Sequence, residues 1–253
     1  IGLECFERGI HVLMEKPLAH NLDGAIRLVG AAQRFGATLM VGHVERYNPA
    51  IEEMMRLLAL YKEEIVSIDA RRLAPFDGSR CMDVDVLYDL LIHDVDLALE
   101  IASSSVSVLH SVGRSVFSKQ IDVAHVILEF QNGSIASFWT GKCSPKKIRT
   151  ITVTTPRRYM VADTLERSLT MYTADQIPAP EREICFMGNI TTEQMPVPDR
   201  EPLRQELEDF LKAIQEEKPP IVDGNRALAA MKVLELIRES IMRGKSREIS
   251  SEI

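Results

Sequence analysis

The sequence lacks several features that mark specialised classes of protein. Its 253 residues include only four cysteines, and no two of them have the short spacing of a zinc site, so we expect no bound metal. Widely separated cysteines are typical of reduced thiols, which indicates a cytoplasmic protein. Positive charge is not in excess either. The formal net charge of −7 argues against a nucleic-acid binder or a protein that binds anionic membranes.

Long apolar runs are also missing. Apolar segments such as residues 86–102 are interrupted by charged side chains, so no segment is expected to span a membrane. The chain is nevertheless 45% hydrophobic and 26% charged, which is ordinary for a globular protein of one or two domains.

The first recognisable unit is a strand, a helix and a second strand. The apolar run at residues 10–14 ends at Glu15-Lys16-Pro17, where the proline stops the strand. A helix capped by Asn21 follows and ends at Gly36, and a second apolar run, residues 37–41, leads to His43. This is the pattern of a βαβ unit. Ligands bind at the carboxyl ends of parallel strands, where Lys16 and His43 lie.

One element of a dinucleotide-binding domain is absent. Such a domain opens with a strand and the turn G-x-G-x-x-G, in which backbone amides approach the pyrophosphate. None of the 13 glycines forms this pattern. If the βαβ unit belongs to such a domain, we expect that the chain lacks the first half of a Rossmann domain, that residues 1–50 are its remaining part, and that this chain alone binds cofactor poorly.

The segment 86–102 has a helical pattern in which Asp89 and His93 lie four residues apart, on one face of the helix. A carboxylate one turn away can fix the tautomer of an imidazole and raise its basicity, as a general base requires. The alternative is a partly buried histidine satisfied by its neighbour. The spacing alone favours that second interpretation.

From residue 105 the hydrophobic period changes to two, which predicts strands and a hairpin turn at Asn132-Gly133. The expected strands are residues 106–109, 123–130, 134–139, 148–153, 158–162 and 168–172, preceded by one near 65–72. Residues 178–202 are predicted to be a loop or arm, and helices beginning at Glu201 and after a cap at Asn225 should pack on the sheet. Residues 51–253 are thus predicted to form an α+β domain with a largely antiparallel, open-faced sheet.

Three blocks together carry a resemblance. Glu15-Lys16-Pro17, the run from Val41 to Pro49, and Asp89-Leu90-Leu91-Ile92-His93-Asp94 are similar, in this order, to signature blocks of the Gfo/Idh/MocA oxidoreductases. The resemblance extends over the whole chain. It implies a Rossmann domain that binds NAD or NADP, followed by an α+β domain that shapes the substrate site, and it implies a homo-oligomer that associates through the open sheet face.

The resemblance also implies residue roles. Lys16, Asp89 and His93 match the family's catalytic lysine, aspartate and histidine. The cofactor-binding residues it suggests are Glu15, Lys16, His43 and Arg72, and the substrate-binding residues are Arg46, Tyr47 and His93. The chain departs from the family at Asp85, where members often carry glycine, and this puts the local loop shape in doubt.

These residues suit alcohol oxidation, in which hydride leaves carbon while a proton leaves oxygen. His93 can act as the base, and the ammonium of Lys16 can stabilise a developing oxyanion. A small group of basic residues could hold an anionic substrate such as a nucleotide sugar. The basic run at 146–149 could equally be a strand face exposed to solvent. Those basic residues are Arg46, Arg71, Arg72, Lys146, Lys147 and Arg149.

The substrate class rests on a further resemblance. Residues 42–49, 71–76 and 144–153 are similar to the branch of the family that includes UDP-N-acetylglucosamine 3-dehydrogenases, which favours a sugar or nucleotide sugar. Two alternatives stay open within the family. One is an NAD-dependent glycoside hydrolase, and the other is a non-catalytic sensor that binds cofactor. The choice between NAD and NADP is not encoded in these residues.

Overall fold

The computed structural model describes residues 1–78, 84–174 and 190–244, together with the backbone of residues 247–248. The first part is the predicted βαβ unit, preceded by a short helix. It comprises α1 (Gly2–Glu7), β1 (Val12–Glu15), α2 (Leu22–Arg34) and β2 (Leu39–Gly42). Strands β1 and β2 pair in parallel, with Glu15 opposite Gly42. Asn21 caps α2 as predicted, because its side chain accepts a hydrogen bond from the amide of Gly24.

A turn and a helix connect this unit to the second part of the chain. A 3₁₀ turn, Val44–Tyr47, follows β2, and α3 (Pro49–Tyr61) comes directly after it. The Asn48 side chain accepts a hydrogen bond from the amide of Ala50, and Pro49 occupies the first helical position, which needs no amide donor.

The second part is built on one large sheet. Its strands are β3 (Ser67–Leu73), β4 (Val106–Arg114), β5 (Val123–Phe130), β6 (Ile135–Gly141), β7 (Ile148–Thr154), β8 (Arg158–Asp163), β9 (Ser168–Ala174), β10 (Ile190–Met195) and β11 (Arg247–Glu248). The spatial order is β10-β9-β8-β7-β3-β6-β5-β4-β11. Only β3 and β6 pair in parallel among these strands, so the predicted largely antiparallel sheet is confirmed.

The sheet has one covered face and one open face. In β5 the side chains of Ala124, Val126 and Leu128 are buried, whereas the alternate residues His125 and Ile127 are exposed. The buried side chains pack in a core with α3, α4 (Ile92–Ala102) and α6 (Gly224–Arg243). The open face keeps apolar side chains in contact with solvent.

The predicted helix over 86–102 is not uniform. A π turn, Leu87–Leu91, precedes α4, so Asp89 and His93 lie in two different kinds of helix. π turns inside helices are uncommon and often occur at functional sites.

Three sequence expectations for the carboxyl-terminal part need correction. Asp223, not Asn225, caps α6, since its carboxylate accepts a hydrogen bond from the amide of Arg226. Helix α5 (Pro202–Gln215) contacts the 3₁₀ turn rather than packing on the large sheet. Within the predicted loop 178–202, residues 190–195 form β10, because their backbone pairs with the free edge of β9. Residues 178–189 of that loop lie outside the described residues.

Helix α6 joins the two parts of the molecule. Its first half, with Ala227 and Met231, packs in the apolar cluster of the βαβ unit. Its second half, with Val233 and Ile237, packs in the core of the large sheet. This shared helix fixes the carboxyl ends of β1 and β2 relative to α4. In the described ranges, no helix combines the length and apolar character that crossing a bilayer requires.

Candidate active site

A cleft of about 880 Å³ lies where the βαβ unit meets the second part of the chain. Lys16, Asp89 and His93 all line it, together with residues of the loops that follow β3 and β6. The three residues predicted to be catalytic therefore share one cavity, although 73 positions separate Lys16 from Asp89. All of these lining residues belong to the described part of the chain, which does not include residues 79–83.

Lys16 projects from the end of β1 into this cleft. Its ammonium donates a 2.7 Å hydrogen bond to the backbone carbonyl of Asp89 and lies 3.9 Å from a carboxylate oxygen of the same residue. Burial lowers the pKa of Lys16, with a further contribution from Arg72, while the Asp89 carboxylate opposes the shift. The lowered pKa makes a proton of Lys16 easier to transfer than that of a solvated lysine.

His93 lies in the first turn of α4. Burial lowers the pKa of His93 well below its usual range, and the positive charges of Arg72 and Lys16 act in the same direction. Its Nδ1 atom is buried and has no hydrogen-bond partner among the residues described. At neutral pH the imidazole is therefore uncharged, which is the form that can accept a proton.

The predicted pairing of Asp89 with His93 is not formed. Instead the Asp89 carboxylate lies between two ammonium groups, 3.0 Å from Nζ of Lys142 and 3.9 Å from Nζ of Lys16. A carboxylate interacts more strongly with two cations than with an uncharged imidazole, which explains the difference. Asp89 thus holds lysines in the cleft rather than orienting His93.

His43, predicted to bind cofactor, is buried beside His93 rather than exposed in the cleft. The two rings meet edge to face with their centroids 6.3 Å apart. Burial lowers the pKa of His43, although Asp96, whose carboxylate lies 3.6 Å from Nδ1, opposes this shift. Neither ring nitrogen of His43 has a hydrogen-bond partner in the described part of the chain.

The two further residues predicted to bind substrate do not line the cleft. Nε of Arg46 donates to Asp96 at 2.6 Å, and another guanidinium nitrogen lies 2.8 Å from Glu100. The hydroxyl of Tyr47, a fully buried residue, donates to Asp209 at 2.7 Å. The 3₁₀ turn directs both side chains inward, where carboxylates satisfy them, so the prediction for Arg46 and Tyr47 is corrected.

Arg72 does line the cleft, but each of its three guanidinium nitrogens already donates to a carboxylate. The guanidinium donates to both carboxylate oxygens of Asp94 at 2.8–3.0 Å and to Glu45 at 2.9 Å. The side chain is buried, so these carboxylates offset the cost of removing the charge from water. Arg72 therefore acts on the site through its positive charge rather than by extending toward a ligand.

The other basic residues separate into two groups. Lys147 and Arg149 line the cleft, whereas the guanidinium of Arg71 lies on the open sheet face, 5.9 Å from the Trp139 ring centre. Lys146 is not among the lining residues.

Sequence reasoning missed Lys142 and Asp122, which also line the cleft. Lys142 follows β6, and the parallel pairing of β6 with β3 brings the ends of both strands to the same place. No sequence pattern predicted that parallel pair. If that pairing had been known, the residues that follow the two strands could have been predicted to line the cleft.

The carboxyl edge of β1 and β2 fits the cofactor that the βαβ pattern implies. Glu15 is exposed at this edge, and a β-carbon at Gly42 would stand 3.2 Å from a carboxylate oxygen of Glu15. The missing side chain leaves room beside Glu15, as close approach of a ligand to the backbone requires. No cluster of three or more His, Cys, Asp or Glu side chains within the described ranges is arranged to hold a metal ion.

Comparison with known protein families agrees with this architecture. Residues 80–249 match the oxidoreductase family's C-terminal alpha/beta domain, and residues 1–43 match the family's NAD-binding Rossmann fold.

Individual relatives are similar over most of the chain. UDP-N-acetylglucosamine 3-dehydrogenase from Acidithiobacillus ferrooxidans is 31% identical over 229 residues, which is 88% of this chain and 70% of that protein. A solved structure of the enzyme from that organism superimposes with a TM-score of 0.85 at 26% identity, covering 96% of this chain and 74% of the other. D-xylose 1-dehydrogenase (NADP(+)) 2 from Haloferax volcanii is 25% identical over 96% of this chain and 74% of its own length. The chain belongs to the Gfo/Idh/MocA oxidoreductase family.

Proposed function

We propose that this chain forms the substrate site and part of the cofactor site of an NAD(P)-dependent dehydrogenase. Its substrate is a secondary alcohol of a sugar or nucleotide sugar. The observation that carries the proposal is the presence of Lys16 and His93 in one cleft, at the carboxyl end of a strand in a βαβ unit. An acid–base pair at that position is what alcohol oxidation beside a nicotinamide requires.

His93 is the proposed general base. Its imidazole is uncharged at neutral pH because burial and the adjacent cations lower its pKa. It takes the hydroxyl proton as the alcohol becomes a ketone, and in the reverse direction it returns that proton to the oxygen. General bases of this kind contribute about 10²- to 10⁴-fold to the rate.

Lys16 is proposed to stabilise the negative charge that develops on the alcohol oxygen. Its ammonium is fixed by the carbonyl of Asp89, so little reorganisation is needed when charge appears. Asp89 positions both Lys16 and Lys142. A bound nicotinamide would supply the hydride acceptor, and Glu15 at the end of β1 is the residue proposed to lie beside it.

The names of the relatives support the substrate class. One acts on UDP-N-acetylglucosamine and another on D-xylose, and both names describe dehydrogenases. The first is the more similar in sequence and favours a nucleotide sugar. A glycoside hydrolase or a sensor has no comparable support among these relatives.

The test is a product assay on the full-length gene product with NAD or NADP. UDP-N-acetylglucosamine, N-acetylglucosamine and D-xylose are supplied in turn. A dehydrogenase gives reduced nicotinamide and an oxidised sugar in equal amounts. A hydrolase would release free sugar with no net reduction of cofactor, and a sensor would bind cofactor without turnover, so either result would contradict the proposal.

A homo-oligomer through the open sheet face is proposed as well. Exposed apolar side chains are spread over this face, among them Ile127, Trp139 and Tyr159. A second copy would remove them from water. Sedimentation velocity on the wild-type chain and on Trp139→Glu tests this, since the substitution should favour the monomer and an unchanged sedimentation coefficient would contradict the proposal.

A further inference from the structure

We infer that the part of the cleft beyond Lys16 and His93 binds a nucleoside diphosphate, with Phe76 stacking on the base and Lys147 and Arg149 contacting the phosphates. This inference rests on the proposed function and specifies the substrate class. The cleft volume of about 880 Å³ lies near the upper end of the ~300–1,000 Å³ range of sites that enclose a whole drug-sized ligand. A sugar ring and a nicotinamide ring beside Lys16 and His93 would together leave much of it unused.

An aromatic surface forms part of the cleft wall. Phe76, in the loop after β3, lines the cavity and is half-buried. The Phe117 ring packs against it with a centroid separation of 4.8 Å and is 54% exposed. Two exposed or half-exposed phenyl rings beside a polar cleft are costly in water unless something covers them. Nucleobases stack on such rings.

The turn that carries Phe117 is held firmly in place. One carboxylate oxygen of Asp122 accepts hydrogen bonds from the amides of Val116, Phe117 and Ser118 at 2.7–2.9 Å. Its other oxygen accepts a 2.7 Å bond from the Ser118 hydroxyl. Asp122 is only 3% exposed, so these bonds are shielded from water. The aromatic surface is thus formed before a ligand arrives, which reduces the entropic cost of binding.

Most of the cations in the cleft are already paired. Lys16 and Lys142 both contact the carboxylate of Asp89, and the guanidinium of Arg72 is held by Asp94. These groups set the local potential but are not free to move toward a phosphate.

Lys147 and Arg149 differ from the others. Arg149 lies 3.6 Å from Glu45, but the same oxygen of Glu45 accepts a shorter, 2.9 Å bond from Arg72. Lys147 is exposed, and within the described ranges no carboxylate lies within 4.0 Å of its ammonium. Both side chains line the cleft that Phe76 lines. Two available cations beside an aromatic surface match a diphosphate joined to a base.

Isothermal titration of the chain with UDP, and separately with N-acetylglucosamine, tests the inference. UDP should bind, and the substitutions Phe76→Leu and Lys147→Ala should each lower the affinity for UDP by about ten-fold or more. Two matched controls, Phe35→Leu just after α2 and Lys146→Ala next to Lys147, should leave UDP affinity within about two-fold. Thermal melts of each variant check that it is folded, and Phe117→Leu provides a second probe of the aromatic surface.

Three outcomes would overturn the inference. These are no UDP binding by the folded wild-type chain, equal effects of the test and control variants, or equal kcat/KM for UDP-N-acetylglucosamine and N-acetylglucosamine. The last result would leave the proposed dehydrogenase activity standing. Conversely, UDP binding that depends on Phe76 and Lys147 in a protein that oxidises no sugar would contradict the proposed function and keep the nucleotide site.

Discussion

The Lys16 ammonium donates a 2.7 Å hydrogen bond to the backbone carbonyl of Asp89. This bond joins the end of β1 to the π turn before α4, and so connects the βαβ unit with the sheet domain inside the cleft. Because the acceptor is a carbonyl rather than only a carboxylate, Lys16 keeps its position whether or not Asp89 is ionised. His93, four residues after Asp89, lines the same cavity.

Replacement of Lys16 by methionine keeps much of the side-chain volume and removes the charge. We expect kcat to fall by about 10²- to 10³-fold, the usual range for removal of one group that stabilises an oxyanion, with a small change in KM. Lys212→Met, on the exposed surface of α5, is the matched control and should retain wild-type kcat. A large rise in KM with unchanged kcat would show that Lys16 binds substrate rather than acting on the transition state.

Much of the fold follows from local signals in the sequence. The proline after Lys16, the Asn21 cap and the Gly133 turn are decided by neighbouring atoms, and the structure has a strand end, a helix start and a hairpin at those places. The change to a hydrophobic period of two likewise predicted a strand over residues 123–130, where the structure has β5. These features needed no knowledge of distant contacts.

The residues that sequence reasoning misplaced depend on partners far along the chain. Arg46 donates a hydrogen bond to Asp96, 50 residues later in the chain, and Tyr47 donates one to Asp209, 162 residues later. Asp89 meets Lys142 only because β3 and β6 pair in parallel, which the pattern of alternating residues does not indicate. A charged side chain at a predicted strand end is equally consistent with a ligand contact and a buried ion pair.

Arg46 is expected to be essential for stability rather than for substrate binding. Arg46→Ala would leave the buried carboxylate of Asp96 without its main partner, at a cost of about 3–5 kcal/mol in the free energy of unfolding. Arg56→Ala, which breaks only an exposed pair with Glu53, should lower the free energy of unfolding far less. Urea unfolding curves measure both, and a stable Arg46→Ala protein with lost substrate affinity would restore the substrate-binding role.

The buried His43 and the partly buried His93 should make the protein less stable in mild acid. Burial lowers the pKa values of His43 and His93 in the folded state below about 6.5, the usual value in an unfolded chain. As the pH falls below about 6.5, the unfolded chain binds protons first. The free energy of unfolding then decreases by up to about 1.4 kcal/mol per pH unit for each histidine.

Urea unfolding at several values between about pH 7 and pH 5 measures this slope. His43→Gln should flatten it, while His20→Gln, at an exposed position, should not. Identical slopes in the wild-type and His43→Gln chains would contradict burial of an uncharged His43.

The contribution of Glu206 to the free energy of unfolding should have the opposite pH dependence. Glu206 is 2% exposed, and its Oε1 atom lacks a hydrogen-bond partner within the described residues. Burial raises the pKa of Glu206 to about 7, and the charge of Glu15 adds a smaller effect in the same direction. Above about pH 4.5 the unfolded chain releases this proton while the folded chain keeps it, so its contribution to stability is lost as the pH rises through about 7.

Glu206→Gln keeps the shape and removes the titration. The variant should be more stable than wild type at pH 7, and its advantage should shrink toward pH 4.5. Glu208→Gln, on the exposed face of the same helix, serves as the control. An advantage that does not change with pH would show that Glu206 is ionised in the folded protein.

The most direct test of the account is the turnover of His93→Ala in the full-length gene product, followed by the formation of reduced nicotinamide with UDP-N-acetylglucosamine as substrate. If His93 is the base in the cleft that Lys16 also lines, kcat should fall by about 10²- to 10⁴-fold while cofactor affinity stays near that of wild type. His20→Ala should behave as wild type. Turnover by His93→Ala at the wild-type rate would contradict the central claim.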